Sequence, residues 1–253
     1  MRTTNPSIRN LQNYCHGEDM VVGSEKTATY LGVALKGFFM LGVAFLSAIL
    51  TAYLAFTASI TLVGGLLAGA SILALVFAIL ASFFPNTVKV TGTLYAVCEG
   101  ALVGFVSALA NAFGFGGAVT AALFSTLITF GVMLALYATG VVKVGRGLRN
   151  FLFVASISIV LTNLVGLILG LIFPRLWVLF YGNGFLPLLC SLVMILLASG
   201  FLLVDLDNVA RIVDTGMNKQ YEWNAAYGLV VTLIWLYMEF LRFFILIFGR
   251  KRR

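Results

Sequence analysis

Seven uninterrupted apolar segments, each about twenty residues long or longer, constrain this chain more than any other feature of its sequence. A helix needs roughly 20 apolar residues to cross the hydrocarbon core of a bilayer, where every backbone polar group must be satisfied internally. A transmembrane β-barrel would instead alternate apolar and polar residues over segments of about ten. The sequence therefore predicts an all-α polytopic membrane protein with seven transmembrane helices. The predicted helices cover residues 30–56, 59–83, 90–111, 116–140, 149–173, 184–206 and 223–248.

The composition excludes a soluble globular protein. Of the 253 residues, 61% are hydrophobic and 10% are charged, whereas about a quarter of the residues of a soluble domain are charged. No domain boundary interrupts the apolar segments, so we expect one helical bundle over residues 30–248. A polar tail over residues 1–29 precedes the bundle, and a basic tail over residues 249–253 follows it. The N-terminal tail lacks the short basic start and apolar core of a signal peptide, so we expect it to be retained.

The positive charge indicates orientation in the membrane. The sixteen Lys and Arg residues are distributed over separate loops and tails rather than along one face. This distribution is typical of topology signals and of contacts with anionic lipid head groups, and predicts the lipid bilayer, not nucleic acid, as the partner. Placing the N-terminus in the cytoplasm puts most basic loop residues inside. The tail Arg250–Arg253 is the exception, because seven helices would place it outside.

Charged residues inside the apolar segments are candidates for function, because a charge in the bilayer costs a few kcal/mol or more. Glu239 lies about sixteen residues into the last predicted helix, and Arg242 follows on the same helical face. Glu239 is therefore either a structural ion-pair partner of Arg242 or a carboxylate that binds a cation or a proton. Glu99 is either a protonated, hydrogen-bonded carboxyl or a ligand or proton relay. Lys36, near the start of the first helix, is expected to extend to the interface.

Three segments resemble the Bax inhibitor family. The stretch Glu222–Arg242, with Leu-Tyr-Met-Glu at 236–239, is similar to the last helix of that family, whose core reads Leu-Tyr-Leu-Asp/Glu. The sequence Asp-Leu-Asp-Asn-Val at 205–209 resembles the family's sixth-helix motif. Leu94–Gly100 resembles the third helix of a bacterial branch. The hydrophobic layout matches from about residue 28 to the C-terminus.

The resemblance implies a bundle in which the last helix is central and wrapped by the other six. It also implies a carboxylate pair on the last two helices, Asp205 and Glu239 by motif position, that forms a pH-sensitive site for calcium leak. Without the resemblance, Asp205 could equally be a solvated carboxylate closing the sixth helix. Glu99, Arg242 and Asp207 are candidate accessory residues.

Two departures from the family pattern affect this prediction. The second carboxylate is Glu rather than Asp, and the arginine found near the end of the family's second helix is absent from Ser82–Asn86. The resemblance therefore leaves the latching role of this arginine unassigned in this chain, and Arg242 is the candidate replacement.

The physics of a carboxylate pair is independent of the resemblance. Two carboxylates within hydrogen-bonding distance in a low-dielectric site share a proton and titrate as a coupled unit. Loss of that proton favours separation of the helices or binding of a cation. Calcium takes about six to eight oxygen ligands, so two carboxylates predict weak, transient calcium binding and no resident cofactor.

The sequence therefore predicts a pH-sensitive cation (calcium) leak channel gated by Asp205 and Glu239. The alternative is a membrane interaction protein that modulates a membrane protease or a stress-response partner and has no intrinsic flux. An enzyme is not expected, because the single histidine, His16, lies in the polar tail and no HExxH or GxSxG motif is present. Cys15, Cys98 and Cys190 have no metal-site spacing. The bacterial-branch motifs favour a bacterial inner membrane, although the sequence leaves an organelle membrane open.

Overall fold

The structure is a computed structural model that describes residues 27–57, 60–172, 182 and 184–251. Most of the predicted N-terminal tail, with Cys15 and His16, and the last two residues of the C-terminal tail lie outside the described residues.

Seven long helices make up the described part of the chain, and all seven are long and apolar enough to cross a membrane. The predicted fold class is confirmed. The helices are α1 (Tyr30–Thr57), α2 (Ile60–Phe83), α3 (Val88–Ala112), α4 (Gly116–Ala138), α5 (Arg146–Ile172), α6 (Phe185–Asp214) and α7 (Tyr221–Lys251).

The connections follow from local backbone chemistry. Pro85 begins a single 3-10 turn, Pro85–Thr87, between α2 and α3, where the missing proline N–H costs little because the first donors of a helix have no internal partner. Gly216 ends α6 with a φ of 65°, a left-handed conformation that glycine adopts without steric penalty. The chain can therefore reverse direction sharply between α6 and α7.

Helix α6 is longer than the sequence predicts. Its predicted end at residue 206 is wrong, because the helix continues for two further turns to Asp214. Asp207 accepts hydrogen bonds from Arg149 and from Arg211 one turn ahead on its own helix. These ion pairs satisfy a charge that the sequence alone assigns to a solvated loop. Asp205 and Asp207 consequently lie within α6 rather than at its end.

Helix α7 is the central element of the bundle, as predicted. It packs against α1, α3, α4 and α6. The implied arrangement in which all six other helices wrap it is only partly present, since α2 packs chiefly on α3 and the main partner of α5 is α6. Leu202 of α6 and Leu236 of α7 are completely buried in one contact cluster with Ala198.

Helices α1 and α3 approach closely through small residues. A Cβ atom built at Gly100 would overlap the backbone of Ala44, and one at Gly104 would overlap the backbone of Ala48. Small residues allow this approach between membrane helices, where packing rather than the hydrophobic effect drives association. The α1–α3 contact therefore depends on these two glycines.

We expect Gly100→Ala to destabilise the folded protein by about 1–3 kcal/mol, the usual cost of overfilling a packed site. Unfolding in detergent micelles under SDS titration measures this change. Gly131→Ala on α4 is the matched control, because a Cβ there meets no atom within 4 Å. Equal stability of the two variants would contradict the close α1–α3 contact.

Candidate functional site

A polar pocket lies between α6 and α7, at the level of the predicted site residue Asp205. Its volume is about 250 Å³. The lining side chains from α6 recur every three or four residues and so share one helical face. The pocket is lined by Asp205, Asn208, Arg211 and Ile212 of α6 and by Asn224, Ala225 and Gly228 of α7.

Asp205 is tied to α7 at this pocket. The Thr232 hydroxyl donates a hydrogen bond of 2.5 Å to Asp205 Oδ2. A Cβ atom at Gly228 would lie 3.3 Å from Asp205 Oδ1, so the glycine allows the carboxylate to approach the α7 backbone. Asp205 is half-buried, and its carboxylate is the one acidic group among the lining residues.

Asn224 contributes an unsatisfied acceptor to the same pocket. Its Oδ1 atom is buried and has no hydrogen-bond partner among the described residues. A buried polar atom without a partner costs roughly 1–3 kcal/mol. The Asp205 carboxylate, the Asn208 amide and this oxygen all line the pocket. They provide oxygen ligands for a hard cation or hydrogen-bonding partners for a water molecule.

Asp207, the predicted accessory residue, does not line the pocket. Its Oδ2 atom pairs with Arg149 and, at 3.0 Å, with Arg211, while Tyr137 donates to Oδ1 at 3.3 Å. Asp207 therefore binds the positive charge that Arg211 brings to the rim of the pocket. Its observed contacts connect α4, α5 and α6.

Glu239 lies on α7 at a different level of the bundle from Asp205 on α6. It is 9% exposed, and its Oε1 atom accepts a hydrogen bond of 3.2 Å from Trp235. Its Oε2 atom is buried and has no hydrogen-bond partner in the described part of the chain. Arg242, one turn further on, attracts this carboxylate electrostatically. Glu239 thus has a hydrogen-bond donor and a positively charged neighbour on its own helix.

The structure does not bring Asp205 and Glu239 into contact. Asp205 is bound to Thr232, and Glu239 lies seven residues after Thr232, or about 10 Å along a helix axis. Within the described residues each carboxylate has its own hydrogen-bond donor. They are two acidic positions, one on α6 and one on α7, at successive levels of the bundle.

Glu99 is half-buried on α3 and lies away from the pocket. It lies near Tyr95 on its own helix and Tyr227 on α7, whose rings meet edge to face with centroids 5.4 Å apart. These aromatic neighbours place Glu99 at the α3–α7 contact rather than beside Asp205.

A buried ion pair at the start of α7 was missed by the sequence analysis. Glu222 is fully buried and pairs with Lys36 of α1, and its Oε1 atom accepts a hydrogen bond of 2.8 Å from the Thr29 backbone N–H. The Lys36 side chain is 16% exposed, and its ammonium also donates to the Lys219 carbonyl just before α7. Its extension to the membrane interface stays a prediction. The signal was available, since α1 and α7 are predicted to begin on the same side of the membrane.

A family model described as Bax inhibitor 1 like matches residues 5–249. The chain belongs to the Bax inhibitor 1 like family. The match covers nearly the whole chain and includes all three segments that carry the resemblance. With the seven apolar helices, it establishes an integral membrane protein. No curated protein and no solved structure gives a significant match.

The position of Arg242 bears on the arginine that this Bax inhibitor 1 like chain lacks at the end of α2. Arg242 follows Glu239 along α7, whereas the arginine that lines the Asp205 pocket is Arg211 of α6. The structure therefore gives the two acidic positions different neighbouring arginines.

The pocket of this family member presents oxygen atoms, the type of ligand that hard cations take. Among the described residues, no group of three or more His, Cys, Asp and Glu side chains is arranged to hold a metal ion. Asp205, Asn208, Asn224 and Thr232 supply fewer oxygens than the roughly six to eight that calcium takes. Water would supply the remaining ligands of any cation bound there.

Proposed function

We propose that this chain is a pH-sensitive cation leak channel that conducts calcium through Asp205 and Glu239 in succession. The observation that carries the proposal is the Asp205 pocket, in which the unsatisfied Asn224 oxygen stands in the same small cavity as a carboxylate. Glu239 offers a second carboxylate with a free buried oxygen deeper in the bundle. The ion is a substrate in transit, and the proposal assigns neither a resident cofactor nor a catalytic role.

Weak binding at each position suits conduction, because an ion must leave a site as readily as it enters. Hydrogen bonding by Thr232 ties α6 to α7 at Asp205, so a cation at Asp205 competes with the bond that holds the two helices together. In this proposal the channel opens when a cation at Asp205 replaces the Thr232 hydrogen bond. The gate is therefore not a proton shared between two adjacent carboxylates.

The expected pH dependence follows from the chemistry of carboxylates. A deprotonated carboxylate attracts a cation, whereas the protonated form is neutral and does not. Calcium flux should therefore fall as the pH is lowered and recover as it is raised. The proposal places the protein in a bacterial inner membrane, following the bacterial-branch motifs. It places the N-terminus in the cytoplasm, following the Lys and Arg distribution.

Purified protein in liposomes loaded with a calcium indicator tests the proposal. We expect calcium influx above that of empty liposomes, lower on the acid side of neutral pH than on the alkaline side. Glu239→Gln should reduce the influx and flatten its pH dependence. Absence of influx from folded protein would contradict the channel and favour the alternative, an interaction protein that modulates a membrane protease or a stress-response partner.

A further inference from the structure

A long apolar groove runs along the bundle between α1 and α4, with α7 as its floor. Its volume is about 770 Å³. Helices α1 and α4 each pack against α7 but make no extensive contact with one another. Phe45 of α1, Leu127 of α4 and Leu233 of α7 are among the lining residues, and α3 and α6 also contribute. Five helices therefore surround the groove.

The dimensions of the groove match the bilayer. Tyr30 and Ala52 both line it and lie 22 residues apart on α1, or about 33 Å along a helix axis. The hydrocarbon core is about 30 Å thick. Atoms that line an unfilled apolar void lose their dispersion contacts, so hydrocarbon chains are the chemically matched occupant.

The two ends of the groove differ in charge. Tyr137 lines one end and donates to Asp207, the same carboxylate that holds Arg149 and Arg211. The Arg211 side chain is 51% exposed, and exposed Lys143 and Arg146 lie in the segment that follows α4. Ser107 and Thr120 are the polar residues of the opposite end. The Tyr137 end therefore carries more basic residues than acidic ones, the acidic ones being Asp207 and Asp214, which accepts a hydrogen bond from the lining residue Tyr30. The lining residues of the other end are uncharged, although exposed Arg250 lies beyond them near the end of α7.

We propose that the groove binds the acyl chains of an anionic phospholipid, with the phosphate at the Tyr137 end beside Arg211. The apolar walls recognise the chains, and the basic end selects the head group. The groove shares no lining residue with the Asp205 pocket, but Arg211 lines that pocket and would also contact the head group, so the two sites meet at this arginine. The lipid proposal does not depend on the proposed leak. A second copy of the chain is a poorer occupant, because copies inserted in the same orientation would bring their basic ends together.

Gly37 gives direct access to the groove. It is buried on α1 and lines the groove, yet a Cβ atom built there meets no atom within 4 Å. A larger side chain at this position would extend into the groove without displacing the backbone. Ala34, also on the lining and exposed, offers a second position for the same change.

Native mass spectrometry of the full chain, titrated with phosphatidylglycerol or phosphatidylcholine, tests the proposal. We expect wild-type protein to prefer phosphatidylglycerol by about five-fold or more, the contribution of one basic residue near an anionic lipid. Gly37→Leu and Ala34→Leu should lose bound lipid. Gly42→Leu is the matched control on α1, because it lies outside the groove and also has open space for a side chain.

Arg211→Gln tests the head-group end of the groove. It should remove the preference for the anionic lipid but retain lipid binding, because Arg149 still pairs with Asp207 and keeps this end folded.

Several results would overturn the proposal. Equal binding of the two lipids by wild-type protein would indicate ordinary bilayer contact. A preference unchanged in Gly37→Leu and Ala34→Leu would place the lipid elsewhere. A dimer that excludes lipid from the groove would identify a second copy as the occupant. The two variants also control for misfolding. If both remain folded, both should lose bound lipid to a similar extent, whereas misfolding at one position would affect only that variant.

Discussion

Replacing Lys36 by methionine should destabilise the protein by about 3–5 kcal/mol, the usual cost of removing one partner from a buried ion pair. The substitution leaves the Glu222 carboxylate buried at 0% exposure, with the Thr29 donors as its remaining partners. The backbone of α1 is close enough that a Cβ atom at Gly32 would overlap this carboxylate. Glu222 therefore cannot reach water without separation of α1 from α7.

The control for Lys36→Met is Lys89→Met. Both ammonium groups lie over the Trp223 ring, at 5.3 and 5.9 Å from its centroid, but only Lys36 pairs with Glu222. An exposed cation–π contact contributes about 0.5–1 kcal/mol, so Lys89→Met should have a small effect. SDS titration in detergent micelles measures both variants.

A double substitution separates the ion pair from loss of packing. Lys36→Met combined with Glu222→Leu removes both charges, and buried ion pairs replaced by apolar residues are often neutral in stability. The double variant should therefore be more stable than Lys36→Met alone. Equal stability losses for Lys36→Met and Lys89→Met would refute the role assigned to the pair.

The effects of Asp205→Asn and Glu239→Gln on calcium flux should multiply. Each change removes a negative charge from one cation position, and we expect each to reduce flux about ten-fold, equivalent to about 1.4 kcal/mol of cation binding. Thr232, which binds Asp205, lies about 10 Å from Glu239 along α7, so the two cation positions are near the separation at which free-energy effects usually add. The double variant should therefore fall by about a hundred-fold, the product of the two single effects.

This measurement distinguishes successive positions from a coupled pair. If the two carboxylates shared one proton in the conducting state, the second substitution would add little to the first. Asp214→Asn on α6 is the matched control, since Asp214 bonds to Tyr30 outside the pocket and should leave flux unchanged. A double variant no worse than either single variant would restore the paired gate.

Hydropathy determined the architecture before any tertiary contact was known. Six of the seven spanning helices were predicted to within about three residues of their described ends, because backbone groups in lipid must be satisfied within the segment that carries them. The exception was the end of α6, where Asp207 lies within the helix and pairs with Arg149 and Arg211. A local pattern could not predict an ion-pair network between helices.

The site was predictable as a set of residues but not as a geometry. The sequence identified Asp205 and Glu239 as unusual charges, since a carboxylate inside an apolar segment is visible without a structure. It did not reveal that Thr232 and Trp235 would be their separate donors, or that Asn224 would leave an oxygen unsatisfied in the pocket. Such contacts depend on how far each helix is rotated and shifted against α7.

The sequence by itself therefore determined the number of helices, most of their boundaries and the charged side chains that are costly to bury in the bilayer. All of these depend on interactions within one segment. Tertiary structure alone decided that Lys36 meets Glu222, that Asp205 and Glu239 stay apart, and that a groove remains open between α1 and α4. The physical reason is that the bilayer fixes the lengths of helices individually, whereas side chains on different helices meet only where close packing brings them together.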